Sequence, residues 1–260
     1  MKLTGRFSNA EAYNRHTGRF SRLLAGPFMQ FADVKDGERL LDVGCGTGSL
    51  TFTAAALNPR SEIVGIDRSE SFIENDRSRT SDPRLRFEVG DALSLPYTDG
   101  SFDKSLSLLV IQFIPDVGRA ISEMRRVTKQ GGAVAACAWS SDEDELHTLF
   151  WDSAAELEAE GKQMRDARAY GGGQLSTLWA DSGFASVEET AFIIAPEFQS
   201  FDDYWTPLIG GQGASGTYFA NLTDDGQEAL CRRTRERILG RGPDRPFQLN
   251  GKARAVRGIR

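Results

Sequence analysis

Cysteine and histidine are scarce in this 260-residue chain: three of the first (Cys45, Cys137, Cys231) and two of the second (His16, His147). An odd number of widely spaced cysteines excludes a disulfide framework and a zinc cluster as organising elements. Long apolar runs are missing too. The longest, Leu106 to Ile114, contains Ser107 and Gln112 and is too short to cross a bilayer. Met1 to Asn14 is polar and has no apolar h-region, so no secretory start is expected and the cytoplasm is the default location.

What remains is an ordinary globular composition, with 40% hydrophobic and 26% charged residues, enough for one core with a modest cap. The net charge of −6 is unevenly spread. From Cys231 to Arg260 ten Lys/Arg stand against two acids, Glu236 and Asp244. Such an end can attract an anionic substrate or nucleic acid, or can simply be a solvated helix face followed by an exposed strand. With the whole chain acidic, a nucleic-acid partner is not expected.

The most informative stretch is Leu40-Leu41-Asp42-Val43-Gly44-Cys45-Gly46-Thr47-Gly48, followed by the helix-forming Ser49–Leu57. Strand, glycine turn and helix in that order open a doubly wound α/β domain. The glycines permit a sharp turn and leave no Cβ between backbone and ligand. A dinucleotide would set its pyrophosphate on this turn, where Asp42 would repel it. S-adenosylmethionine (SAM) brings an ammonium and a sulfonium, which an acid favours. Asp67 closes the second strand, Ile63–Asp67, where it can accept from both ribose hydroxyls or cap a helix. Asp91 follows the third strand, where it can accept from the adenine amine, with the Ala92 amide donating to a ring nitrogen. Asp42, Asp67 and Asp91 thus stand at the carboxyl ends of three successive strands, in the crevice where such sheets bind ligands.

Alternation predicts strands at Arg39–Val43, Glu62–Ile66, Leu85–Val89, Phe102–Leu109, Ala133–Trp139 and Ser186–Ala195, with a last one over Phe247–Ile259. Helices are predicted at Glu11–Phe31 (broken near Gly26-Pro27), Ser49–Leu57, Glu70–Ser78, Val117–Thr128, Asp142–Gly161, Leu175–Ser182, Phe201–Leu208 and Leu222–Leu239. Lys129–Gly132 reads as a turn. The expected fold class is a doubly wound, mostly parallel α/β sheet in one domain spanning 1–260. Within it, 1–32 is a helical lid, 33–140 the cofactor-binding core and 141–260 a substrate cap with the final strands.

The chain resembles a class I SAM-dependent methyltransferase of the small-molecule kind. The matching pieces are Leu41–Gly48, Val64–Asp67, Val89–Tyr97, Gly100-Ser101-Phe102-Asp103 and Glu123–Gly132, in the family's order. The resemblance implies a seven-stranded sheet with its last strand antiparallel, SAM as cofactor and S-adenosylhomocysteine as product. The expected cofactor residues are Asp42, Gly44, Cys45, Gly46, Gly48, Asp67, Arg68, Asp91, Ala92 and Leu109, with Tyr13 and Arg19 on the lid facing the methionine carboxylate. Cys45 is read as a small filler lending a backbone amide.

The partner implied is a small-molecule methyl acceptor, bound by a monomer or a homodimer. A His-His pair found after the fourth strand in many relatives is replaced by Gln112-Phe113. The Asn/Asp-Pro-Pro-Tyr signature of nucleic-acid and protein amide methylation is absent from Ser107–Ile111, and so is a Phe-Gly-x-Arg-Asn pattern associated with quinone C-methylation. His16 and Tyr13 are the candidate catalytic groups, and His147 receives no role. Gln112, Phe113, Tyr204, Trp205 and Tyr218 are the candidate acceptor contacts, the last three as an aromatic wall or as core. The lack of an obvious base fits an acceptor reactive without help: an amine, thiol, carboxylate or acidic phenol. A SAM-binding protein without catalysis, a macromolecule methyltransferase and an NAD-dependent oxidoreductase remain as alternatives.

Overall fold

A computed structural model describes residues 17–166, 170–210 and 213–260. Tyr13 and His16 lie outside them. Helix α1 (Arg19–Phe31) precedes β1 (Arg39–Val43), α2 (Ser49–Leu57), β2 (Glu62–Asp67), α3 (Glu70–Ser78) and β3 (Leu85–Val89). Then come β4 (Phe102–Leu108), α4 (Val117–Val127) and β5 (Thr128–Trp139). The rest is α5 (Glu145–Leu157), α6 (Ala159–Asp166), α7 (Gln174–Asp181), β6 (Ala185–Ile194), β7 (Glu197–Phe198), α8 (Phe201–Ile209), α9 (Gly213–Asn221), α10 (Asp224–Leu239), β8 (Phe247–Gln248) and β9 (Gly251–Ile259).

Seven strands form one sheet in the order β3-β2-β1-β4-β5-β9-β6, with β9 antiparallel to both its neighbours. The expected mostly parallel sheet with an antiparallel last strand is therefore present. Its central strands are buried on both faces, which is why Leu40, Leu41 and Val43 form a nearly continuous apolar run. Leu40, Leu106, Leu108, Cys137 and Trp139 face α1, α2 and α5, while Leu41, Val43 and Ile66 face α4 and α7. Asp42, two residues from Leu40, shares the first of these faces.

Four boundaries differ from expectation. Helix α1 runs through Gly26-Pro27, because Pro27 is on the exposed side while Leu24, Phe28 and Met29 are anchored in the core. The Asp142–Gly161 helix is two helices. Glu158 is extended, and Gly161 lets α6 fold back against the Ala154 carbonyl so closely that a Cβ would collide with it. Lys129–Gly132 lies within β5 as a bulge: the pairing steps from Phe102↔Thr128 to Lys104↔Ala133, with Gly131 at φ +77°. Phe247–Ile259 is split, with β8 pairing β7 in a two-stranded ribbon before β9 joins the main sheet.

Candidate functional site

The glycine turn after β1 is held from beneath. Gly44, Gly46 and Gly48 have φ of +74°, +58° and +76°, conformations in which a Cβ is costly. At Gly44 a Cβ would also collide with Val110, which packs on the turn from the end of β4. The Gly44 and Cys45 amides both donate to the Ile66 carbonyl, at 2.8 and 3.1 Å. The Cys45 amide, expected to face a ligand, is thus engaged by the protein, and its buried thiol is pushed well up by desolvation. Gly46 donates to Asp67 Oδ2 at 2.9 Å, and Ser69 donates to Asp67 Oδ1 at 2.8 Å.

Asp42 is only 2% exposed and accepts from the Thr51 hydroxyl at 2.7 Å. Burial pushes its carboxyl up to about 7, and the Asp67 charge adds to this. Asp67 is raised as well, mainly by burial. Sequence reading missed a third acid here. Asp76 on α3 is fully buried, and desolvation pushes it up to about 7. Its Oδ1 accepts from Arg79 at 3.1 Å, and the same guanidinium donates to the Thr47 carbonyl of the glycine turn at 2.8 Å. Asp76 stands one turn from the end of a polar helix, so only the chain's return to the glycine turn marks it out.

A shallow recess opens against this turn, lined by Ser21, Asp42, Gly44, Cys45, Thr47, Ser49, Leu50 and Leu108. Buried carboxylates beside a turn bare of side chains suit a cationic ligand and disfavour a pyrophosphate. SAM fits this donor set. Asp91 Oδ1 accepts from the Leu93 amide at 2.9 Å, and Arg68 Nε lies 3.8 Å from Oδ2, so Arg68, Asp91 and half-buried Ala92 cluster beyond β2 and β3. Leu109 closes β4 with its backbone left-handed at φ +61° and its amide on the Cys137 carbonyl at 2.7 Å. A leucine held there stores backbone strain, a pattern common at ligand sites.

The other expected contacts are placed differently. Arg19 reaches the cap: it pairs with Asp203 at 3.2 Å, donates to the Glu197 carbonyl at 2.8 Å and covers the Phe198 ring at 4.6 Å. Tyr204, Trp205 and Tyr218 are 3–5% exposed. Tyr204 donates to the Leu146 carbonyl at 3.1 Å, Tyr218 to Glu158 at 2.9 Å, and Trp205 stacks on Phe201. Their rings interlock in the cap core, so the aromatic wall becomes packing in this structure. Gln112 donates to the Leu109 carbonyl at 3.1 Å, and its buried Oε1 has no partner among the described residues. Phe113 is 40% exposed beside it. Phe20 and Leu146, with Arg19, Phe198, Asp203, Tyr204 and Pro207, line a second shallow recess.

His147, to which the sequence reading assigned nothing, is paired with a buried acid. Its Nδ1 lies 2.6 Å from Asp144 Oδ2, and its ring centroid is 4.5 Å from that of Trp139. The signal was available as Asp144-Glu145-Leu146-His147, an acid and a histidine one helical turn apart.

Among the described residues no helix is long and apolar enough to cross a membrane. The profile of the methyltransferase domain family matches residues 34–189. The chain is 35% identical over 157 residues to an uncharacterised 37.1 kDa protein of a Streptomyces fradiae transposon, a match covering 59% of this chain and 45% of that one. It therefore spans under half the length of that relative. It is 28% identical over 207 residues to demethylmenaquinone methyltransferase of Staphylococcus aureus, covering 74% and 84% of the two chains. Phosphoethanolamine N-methyltransferase 2 of Haemonchus contortus, solved with phosphomonomethylethanolamine and S-adenosylhomocysteine, shares the fold. Its TM-score is 0.60 at 19% identity, covering 96% of this chain and 56% of that one. With an Asp-led glycine turn, acids at three strand ends and the matching profile all in the same place, the chain belongs to the methyltransferase domain family, as a class I SAM-dependent methyltransferase.

Proposed function

We propose that this chain methylates a small molecule, bound where α1 and the cap meet the carboxyl edge of the sheet. The observation that carries the reading is the glycine turn bound to Asp67 with Asp42 buried beside it. Asp67 would take the ribose hydroxyls and Asp91 the adenine amine, with Asp42 complementing the cationic end. Bound there, SAM supplies a methyl group already activated on a sulfonium. The protein's part is to align an acceptor with it and exclude water, which can contribute roughly 7–11 kcal/mol.

Two relatives named for small acceptors support this class of substrate. The basic end supports it as well. Arg233 and Arg237 pair with Glu156, Lys252 with Asp142 and Glu143, Arg254 with Asp142 and Glu189, and Arg257 with Glu188. Half of the ten basic side chains in that stretch are thus engaged within the fold rather than offered to a phosphate backbone. A single working unit of lid, core and cap, in the cytoplasm, is part of the same proposal. Isothermal titration with SAM and S-adenosylhomocysteine tests it. Saturable binding of both, competing for one site, is expected; binding of NADH in their place would sink it.

A further inference from the structure

We propose that His147, oriented by Asp144, is the general base of this enzyme, and that its acceptor is an apolar molecule bearing a hydroxyl group. The inference rests on the methyltransferase reading above and deepens it.

Asp144 stands at the N-cap position of α5, where a carboxylate ordinarily accepts from a first-turn amide. Here the side chain makes no such bond and turns to the imidazole, 2.6 Å from Nδ1. The carboxylate is 2% exposed, and among the described residues its buried Oδ1 has no partner. Burying a charged group this incompletely satisfied costs stability, and such costs concentrate at working sites. The bond to Asp144 places the proton of neutral His147 on Nδ1 and leaves the Nε2 lone pair free. Among the described residues, Nε2 has no hydrogen-bond partner. Trp139 from β5 packs against the pair, and Tyr204 from α8 lies near Asp144, its hydroxyl held by the Leu146 carbonyl.

The sheet order places this pair where a base is needed. Along its carboxyl edge stand Asp91, Asp67 and the glycine turn, at β3, β2 and β1; β4 follows with strained Leu109, and then β5 with Trp139. The His147 ring packs at a tilt against Trp139, which in turn meets Phe20 edge-to-face at 6.0 Å. Phe20 and Leu146, with Phe198 and Pro207, form the apolar wall of a recess that the Arg19–Asp203 pair borders on its other side, and the neighbouring Ser21 lines the recess at Asp42. One turn of α1 thus touches both, and the His147 pair connects to it through Trp139 and through Leu146, its neighbour on α5. Aromatic and aliphatic walls suit an apolar acceptor, and a carboxylate-backed imidazole serves an acceptor that must lose a proton as it reacts. In that step the acceptor O–H bond breaks, its proton passing to Nε2 and its electron pair staying on oxygen. That oxygen bonds the methyl carbon as the carbon–sulfur bond breaks and its pair returns to sulfur. The imidazolium then gives its proton to water at its partly exposed edge.

The test uses three probes of one frame, 2-naphthol, 2-naphthylmethylamine and 2-naphthalenethiol, with S-adenosylhomocysteine release as the readout. Wild type is expected to turn over the naphthol. His147→Gln should lose that rate by roughly 10²–10⁴-fold, while thiol turnover and SAM affinity stay within about threefold, since an ionised thiol has no proton to lose. A second readout needs no turnover. In nitrogen-15 spectra of the chain's two histidines, with His16→Gln for assignment, His147 should show the Nδ1–H tautomer, lost in Asp144→Asn. Its Nε2 resonance should move when 2-naphthol joins the S-adenosylhomocysteine complex. Naphthol turnover surviving in His147→Gln, or an Nε2 resonance unmoved by naphthol, overturns the proposal. So does a wild type that binds SAM yet uses only the amine or thiol, or none of the three. Failure to bind SAM at all instead overturns the reading beneath it.

Discussion

The Gly46 amide donates to Asp67 Oδ2 at 2.9 Å, so the acid that ends β2 holds the turn that follows β1. One carboxylate fixes the loop and, in the proposed binding mode, takes the ribose hydroxyls. Replacing it removes both interactions.

Asp67→Ala should therefore weaken SAM binding by roughly 10–100-fold, the range for a lost hydrogen bond to a charged group. Asp67→Asn, which keeps an acceptor for Gly46, should recover part of the loss. Titration calorimetry on the two variants reads this directly, and equal affinities for Ala and wild type would remove Asp67 from the site.

Asp42 gives a pH-dependent prediction. Its folded-state value, about 7, lies above the ordinary 3.8, so between these limits the folded chain holds more protons than the unfolded one. Stability from this group then falls as pH rises through that window. Asp42→Asn should be more stable than wild type at pH 8, by on the order of a few kcal/mol, and little different near pH 4. The same variant should bind SAM more weakly. Denaturant melts at the two pH values decide it, and a pH-independent difference would count against the buried charge as the cause.

Trp205 is packed in the cap, 5% exposed and stacked on Phe201 at 5.5 Å. Trp205→Ala should cost about 3–5 kcal/mol of stability, whereas Tyr204→Phe should cost about 1 kcal/mol for the bond to Leu146. A Trp205→Ala protein that melts like wild type but binds acceptor poorly would restore the aromatic wall.

Arg19 is committed to Asp203 and the Glu197 carbonyl. Arg19→Ala should leave SAM affinity within about threefold. A double-mutant cycle with Asp203→Ala should return no more than about 1 kcal/mol, as this half-exposed pair remains screened by water. A tenfold loss of SAM affinity would return Arg19 to the cofactor.

Much of the cofactor half was legible because it is local. Leu40 to Leu57 contains strand, turn and helix in one stretch, and the left-handed glycines are dictated by backbone sterics alone. Asp42, Asp67 and Asp91 were found because each ends a strand, and strand ends are visible in the hydrophobic pattern. The split of α5 from α6 was not legible, since nothing in the run around Leu157 and Glu158 breaks a helix by composition. It takes the approach of Gly161 to Ala154 to do so.

The acceptor half depends on contacts between distant segments. Whether Tyr204 and Trp205 line a wall or fill a core is set by what packs on them, and a sequence carries no burial for an aromatic residue. Arg19 and Asp203 are 184 residues apart, and only the closed cap brings them together. The spacing of Asp144 and His147 is visible in the sequence, but only the fold sets His147 against Trp139 at the end of β5. Short-range sterics and strand periodicity encode the sheet, the glycine turn and the positions of Asp42, Asp67 and Asp91, so these were determined by the sequence alone. Which residues face the acceptor was decided by tertiary packing, because that recess is built from elements that meet only when the chain is folded.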